Sequence, residues 1–345
     1  MKRKIIIGAA SLLVLAAAFF LWKFFGPTLP SEQEGKYLYI KTGSTFKDVQ
    51  SELVKNHFAK SSFWFKTVAR MAGYRNVKPG RYKVTSRMSL MNLVRMLKNG
   101  SQTPVSFVIT KIRTKEGLAS RIGSNFECNS DEMLGFMNNQ DSLQAFSLDT
   151  NTAMIAALPL TYEIKWNTTP GKIFRQFYAA YTSFWTEERK RKAEKLHLTP
   201  AEVSILASII DEETTKAVDR PNIASVYINR IDKGISLQAD PTIKFAMKDF
   251  GLKRIYEKYL TFESPYNTYV NKGLPPGPIC TPSTETLKEV INAPKTDFIY
   301  FVADSDLDGR SVFTSNYKDH MKYAKLYQQA LNKQDSIKKA RESMQ

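Results

Sequence analysis

Cysteine is nearly absent, with Cys128 and Cys280 the only two among 345 residues and far apart in sequence. That leaves neither a disulfide scaffold nor a thiolate zinc site. Histidine is almost as scarce, and His57, His197 and His320 lack the short spacings of metal ligands, which sets metallohydrolase chemistry aside. No metal and no cofactor is therefore expected. Acidic residues are outnumbered, 33 against 50 Lys and Arg, and the net charge of +17 calls for an anionic partner such as nucleic acid, lipid headgroups or an acidic polymer. Apolar residues are not scarce: they make up 43% of the chain, with 12% aromatic, enough to build a core and exclude a disordered or low-complexity protein. The length suits one large domain or two to three modest ones.

The compartment is read from the first residues. Lys2, Arg3 and Lys4 precede an uninterrupted apolar or small run from Ile5 to Trp22, long enough to cross a bilayer. A cleaved signal peptide should have a shorter apolar part ending in a small-x-small site. Here Ala16-Ala17-Ala18 runs on into Phe19-Phe20-Leu21-Trp22, which favours an uncleaved anchor. The N-terminal positive charges place residues 1–4 in the cytoplasm, a transmembrane anchor at 5–25 and all later residues outside. An external location removes nucleic acid from the expected partners and leaves anionic envelope polymers and lipid.

Residues 26–36 have the polar, Pro- and Glu-containing composition of a short linker. Tyr37 to Ile40 then reads as a strand, Thr42-Gly43-Ser44 as a turn and cap, and Phe46 onward as an amphipathic helix with Val49, Leu53 and Val54 on one side. A second strand at Gly80 to Val84 and a second helix at Ser89 to Leu97, stopping at Gly100, repeat the pattern. The two units resemble a LysM-like module over 37–102, which would bind N-acetylated glycans; the alternative is a ligand-free βα packing unit. Beyond it, Phe107 to Ile109 is a strand candidate. Pro170 to Trp185 is a helix whose aromatic stripe (Phe174, Phe177, Tyr178, Tyr181, Phe184) is expected in the core, and Glu187 to Lys192 is a solvated helix face.

The most informative segment begins at Thr199-Pro200-Ala201-Glu202, which combines an N-cap, a proline at the first helical position and a capping-box glutamate. The helix runs through Val203 to Ile210 and meets Asp211, Glu212 and Glu213. At about 100° per residue, Glu213 falls within roughly 60° of Leu206, Ile209 and Ile210, Asp211 nearly opposite and Glu212 about a quarter turn away. Only Glu213 then shares the apolar face. A carboxyl group held there loses hydration in its charged form and can stay protonated as a general acid near neutral pH; the alternative is that the helix ends here and all three acids are solvated.

The motifs that follow carry a resemblance. Leu206 to Thr214, Ala224 to Arg230, Leu237 to Thr242, Tyr266 to Tyr269, Gly273 to Ile279, and Tyr300 to Asp304 with Phe313-Thr314, in this order, are similar to the YceG-like, endolytic murein transglycosylase family. The resemblance implies an α+β fold with a single N-terminal transmembrane helix, a LysM-like βα subdomain and a mixed α+β catalytic domain over 103–325, leaving 326–345 as a basic helical tail. It also implies a single-pass protein of the bacterial inner membrane, extracytoplasmic in its catalytic part, that cuts the MurNAc-GlcNAc bond of nascent peptidoglycan strands and limits their elongation. Its expected partners are glycan strands and the inner membrane, with peptidoglycan synthases as a candidate. The family's essential glutamate corresponds to Glu213, followed by Thr214. Asp211 and Glu212 stand where the family often has Glu and Lys, and Leu158 to Tyr162 is a shortened form of a longer family motif.

In lytic transglycosylation the sugar's 6-hydroxyl attacks its own anomeric carbon and leaves a 1,6-anhydro end, so one carboxyl can give and then take the proton. Ordinary glycosidases use two carboxylates. Asp240 is the later acid able to assist, or else a cap or turn before Pro241. Gln238, Tyr266, Asn267 and Tyr269 are candidate sugar contacts, since amides bond N-acetyl and hydroxyl groups and aromatic faces meet sugar C–H faces. A hydrolysing muramidase and a non-catalytic glycan-binding scaffold remain alternatives. Asp304-x-Asp306-x-Asp308-Gly309 imitates half a calcium loop, but Ser315 stands where a bidentate glutamate is needed, and the segment reads as a hairpin turn.

Overall fold

The computed structural model describes residues 2–26, 35–58, 62–85, 88–252 and 254–342. Most of the expected linker, the first residue and the last three lie outside these. The chain divides into two compact units, one made of Met1–Phe107, Ile122–Asn129 and Glu163–Thr169, the other of Val108–Arg121, Ser130–Tyr162 and Pro170–Gln345.

The first unit holds α1 (Lys2–Phe25), β1 (Tyr37–Ile40), α2 (Phe46–Lys55), α3 (Ser62–Met71), β2 (Gly80–Lys83), α4 (Leu90–Asn99) and most of β3 (Val105–Val108). Among the described residues α1 is the one helix long and apolar enough to cross a membrane. Its last turns carry Phe19, Phe20 and Phe24, whose rings meet Trp64 edge-on at 5.6 to 6.2 Å. β1 and β2 are not successive copies of one motif but antiparallel partners, Tyr37 facing Lys83 and Ile40 facing Gly80. Two helices lie between them, the second of which, α3, the sequence did not announce. The cap of α2 is Thr45, in a capping box with Asp48, rather than the turn before it. Val49 and Leu53 are buried, whereas Val54 is exposed, a little too far round the helix for the core. Gly100 ends α4 with φ of 70°, the left-handed geometry that glycine supplies without strain.

In the second unit come most of α5 (Lys115–Gly123), α6 (Ser130–Met137), α7 (Gln140–Gln144), the first half of β4 (Thr161–Ile164), α8 (Pro170–Phe184), α9 (Glu187–Glu194), α10 (Pro200–Glu213), α11 (Arg220–Asp232), α12 (Asp240–Ala246), α13 (Glu257–Leu260), α14 (Thr284–Ile291), β5 (Tyr300–Ala303), β6 (Ser311–Thr314) and α15 (Tyr317–Glu342). The strands pair as β1–β2, β3–β4 and β5–β6, so this is a mixed helix and strand fold with small sheets. Most of the stripe of α8 is core, with Phe174 and Phe177 fully enclosed and Tyr181 and Phe184 buried, whereas Tyr178 is half-buried. α9 is exposed and laced by the Lys190–Glu187 and Lys192–Glu188 pairs. The acidic segment after Asp304 is the turn of an antiparallel β5–β6 hairpin, in register from Tyr300–Thr314 to Ala303–Ser311. No break separates a tail at residue 325, because α15 runs through it.

Candidate active site

α10 starts as its sequence dictates. Thr199 and Glu202 form the reciprocal capping box, with Pro200 as the first helical residue. Every residue from Val203 to Ile210 is buried, so the middle of α10 has no solvent face. Its two serines survive this by bonding back to the helix, Ser204 to the Pro200 carbonyl at 2.8 Å and Ser208 to that of Ile205 at 2.6 Å. Ser208 also accepts the Ile279 N–H at 3.0 Å, which fixes the Gly273 to Ile279 segment to the helix. Thr214 turns extended and ends the helix, leaving three consecutive carboxylates at its C-terminal end.

The three have separate fates. Asp211 accepts from the Ser283 N–H at 2.7 Å, the Ser283 hydroxyl at 3.1 Å and the Thr286 hydroxyl at 2.5 Å, and so holds the start of α14. Glu212 is gripped by Lys111 Nζ at 3.1 Å and by Arg113 through Nη2 at 2.9 Å and Nε at 3.0 Å, and its side chain is only 12% exposed. The helical wheel places both acids toward solvent; the structure corrects this, because segments 72 and 99 residues away in sequence supply their partners. Glu213 enters no ion pair among the described residues. It accepts one long hydrogen bond, 3.4 Å, from the Tyr227 hydroxyl to Oε2.

Burial pushes the Glu213 carboxyl up to about 7, and the neighbouring Asp240 charge adds to this; the Tyr227 hydrogen bond and the Lys244 and Arg230 charges pull the other way. Tyr227 comes from the buried stripe of α11, where burial and the Glu213 charge hold its phenol protonated as a donor. Arg230, one turn on, is itself buried and bonds the carbonyls of Ile299 at 2.7 Å and Leu237 at 2.8 Å, tying α11 to the residue that leads into β5 and to the loop before α12.

Asp240 is the first residue of α12 but its side chain does not cap it; Ala239 is the cap residue, and Asp240 Oδ1 instead accepts the Tyr269 hydroxyl at 2.6 Å. The structure thus brings Glu213, Asp240 and Tyr269 of the expected residues into one neighbourhood. Tyr266 lies slightly apart, its ring 4.7 Å from that of Phe245 and its phenol pushed up to about 12 by burial. Gln238 is exposed, at a left-handed φ of 52°. Asn267 is a correction: it is fully buried, its Nδ2 donates to the Leu260 and Phe262 carbonyls at 3.0 and 2.8 Å, and its Oδ1 accepts the Tyr269 N–H at 2.9 Å. The amide builds the loop that presents Tyr269 and is not offered to a ligand.

The sequence reading missed Tyr227, Arg230 and Lys244 as neighbours of the acid. One signal was there: a tyrosine inside an apolar stripe must find a partner for its hydroxyl. Among the described residues no group of three or more His, Cys, Asp or Glu side chains is placed to hold a metal ion, and Cys128 and Cys280 are both buried. The arrangement offers one carboxyl that can be protonated near neutral pH, a fixed donor beside it, and a second carboxylate engaged by a tyrosine.

Comparison with known proteins gives this geometry a context. The profile of the YceG-like family matches residues 38–326. The chain is 29% identical to an endolytic murein transglycosylase of Bacillus subtilis, with 91% of each chain covered. It is 28% identical to an endolytic murein transglycosylase of Streptococcus pneumoniae, over 81% of this chain and 56% of that longer one. The crystal structure of a YceG-like protein from Listeria monocytogenes superposes with a TM-score of 0.56 at 26% identity, covering 84% of this chain and 99% of the other.

Proposed function

Since the chain belongs to the YceG-like family, matched over most of its length, we propose that it is a membrane-anchored peptidoglycan lytic transglycosylase whose catalytic acid is Glu213. That it is an enzyme of the lytic transglycosylase kind follows from its relatives. The observation that carries the residue assignment is the contrast within one helix end: all three acids are half-buried, Asp211 and Glu212 are spent on structural partners, and Glu213 enters no ion pair among the described residues and is poised near neutrality.

In the proposed reaction the protonated Glu213 gives its proton to the glycosidic oxygen as the bond from the muramyl anomeric carbon breaks. The resulting carboxylate then takes the proton of the muramyl 6-hydroxyl, whose oxygen closes on the anomeric carbon as a 1,6-anhydro ring. Tyr227, donating to Oε2, leaves Oε1 as the oxygen that carries the proton. Asp240 favours the protonated acid by its charge, and its bond to Tyr269 holds it in place. Burial and the Asp240 charge exceed the opposing cations, which is what an acid working near pH 7 needs.

Residues 37–102 fit a glycan-binding LysM-like role through an open groove lined by Tyr37, Tyr39, Lys55 and His57. α1 fits a single inner-membrane span with the remainder extracytoplasmic, and cleavage beside the membrane would act on nascent strands as synthases release them. Mass spectrometry of glycan strands incubated with the purified protein tests the reading. Anhydro-muramyl ends are expected; reducing ends would make it a muramidase with Asp240 as the second carboxylate, and intact strands would make it a scaffold.

A further inference from the structure

A cavity of about 160 Å³ lies in the second unit, apart from the acid but built from the same segments. Arg113, whose guanidinium holds Glu212, forms one wall; Phe245, which follows Lys244 on α12, and Tyr266, three residues before Tyr269, form another. Lys115, Lys248 and Glu116 complete the rim, so three cations and one carboxylate line the cavity, with the Asp149 carboxylate near Lys115 and Tyr266.

Two of these cations already have acids. Arg113 is neutralised by Glu212 at 2.9 Å, and Lys248 is in a loose, exposed pair with Glu116 at 3.9 Å. Lys115 is different: it is partly buried, and its ammonium donates to the Asn138 Oδ1 at 2.5 Å and the Thr150 carbonyl at 3.0 Å, both uncharged. An ammonium has three N–H groups, so one remains; Glu116 and Asp149 act on Lys115 by charge, but among the described residues neither forms an ion pair with it. A partly desolvated cation with a spare donor at the wall of a cavity is an anion site. The space is about that of five water molecules, room for a carboxylate and a few carbons between Lys115, Lys248 and the Phe245–Tyr266 ring pair, and too little for a polymer.

We propose that this cavity takes a carboxylate carried on the lactyl substituent of the muramyl sugar next to the bond cut at Glu213, with Lys115 and Lys248 as its ligands, and that the protein thereby selects strands that carry this charge. The inference rests on the glycan-cleaving reading above. Two sources supply such a carboxylate, the peptide stem and the bare lactyl group, and the probes separate them.

The test is ligand-observed NMR titration of the full chain in detergent, carrying Glu213→Gln so that nothing is turned over. The probes are GlcNAc-MurNAc-L-Ala-D-Glu, its diamide, and GlcNAc-MurNAc with a free lactyl group. The dipeptide acid should bind about tenfold more tightly than the diamide, the usual worth of a charge-assisted contact. Tight binding of the bare disaccharide as well would assign the lactyl carboxylate as the source; weak binding would assign the stem. Lys248→Gln, at an exposed position that folding does not need, and Lys115→Gln should each bring the acid-to-diamide ratio to about threefold or less. Equal affinity for all three probes, or a ratio untouched by both variants, overturns the proposal. Strand cleavage by the parent protein without any such preference removes the cavity's role and leaves the enzyme reading standing; stem-selective binding without cleavage does the reverse.

Discussion

The Tyr269 hydroxyl donates a 2.6 Å hydrogen bond to Oδ1 of Asp240, which ties the loop after α13 to the first residue of α12 and fixes a carboxylate charge near Glu213. Removing that charge gives the most discriminating pH experiment. Glu213 would work in its protonated form, so activity falls as pH rises through its value of about 7. Asp240→Asn takes away a contribution that raises this value and should move the alkaline limb of the kcat/KM profile to lower pH. Tyr269→Phe, which keeps the charge but frees the carboxylate, should move it less. A limb that stays in place in Asp240→Asn would show that the acid is tuned by burial alone.

Glu213→Gln keeps the volume but cannot deliver a proton. Cleavage should fall by about 10² to 10⁴, the usual contribution of a general acid–base group, in a protein that still folds. The comparison is release of strand ends by this variant, Asp211→Asn and Glu212→Gln, with thermal melting as the control for each.

The same substitution has an opposite consequence for stability. Because folding raises the Glu213 value from 4.5 to about 7, the folded state holds its proton more tightly than the unfolded one. The resulting stabilisation is complete below about pH 4.5 and is lost as pH rises to about 7. Relative to Glu213→Gln, the parent protein should therefore lose up to about 3 kcal/mol over that interval, read from urea midpoints at a series of pH values. A constant difference between the two proteins would mean that the carboxyl is as well hydrated folded as unfolded.

Asp211 and Glu212 should act on stability before activity. Glu212→Gln leaves Lys111 and Arg113 facing a neutral amide, and Asp211→Asn weakens three hydrogen bonds to the start of α14; each should cost about 1 to 3 kcal/mol. Denaturant midpoints check this. Midpoints equal to the parent's would return both residues to the solvated role that the helical wheel assigns them.

Gly277 supplies a packing test. A Cβ at this position would run into the Asn151 carbonyl and come within 2.9 Å of the Tyr266 hydroxyl. Gly277→Ala should destabilise by about 1 to 3 kcal/mol through forced backbone shifts. A melting temperature equal to the parent's would mean that the segment moves aside without cost.

Much of the site's frame was legible locally. Thr199 to Glu202 announced the start of α10, Gly100 marked the end of α4, and the spacing of Leu206, Ile209 and Ile210 placed Glu213 on the apolar side. These signals work because capping and helical periodicity are set within a few residues. What failed was long-range. The partners of Glu212 lie about a hundred positions earlier, and those of Asp211 more than seventy later, so nothing near either acid showed that it would be paired. Asn267 misled for a related reason: an amide beside two tyrosines suits a sugar, but the turn it belongs to needed its donors first. α3 went unread although its Phe65, Val68 and Ala69 have helical spacing, because the two strands around it looked like the starts of a repeated unit rather than the partners of one ladder.

The unbroken burial of α10 from Val203 to Ile210 has a consequence for how the protein loses activity on heating. Amides in such a segment exchange with solvent only through the largest opening motions, those that cost close to the full unfolding free energy. Glu213 is the last residue of the same helix, three positions beyond that segment, and is seated on it. Local loosening of loops or termini therefore leaves the acid in register, and the protein should stay fully competent up to the temperature at which the whole unit melts. Its inactivation curve and its cooperative unfolding curve should then coincide, with no intermediate range in which a folded molecule has gone silent.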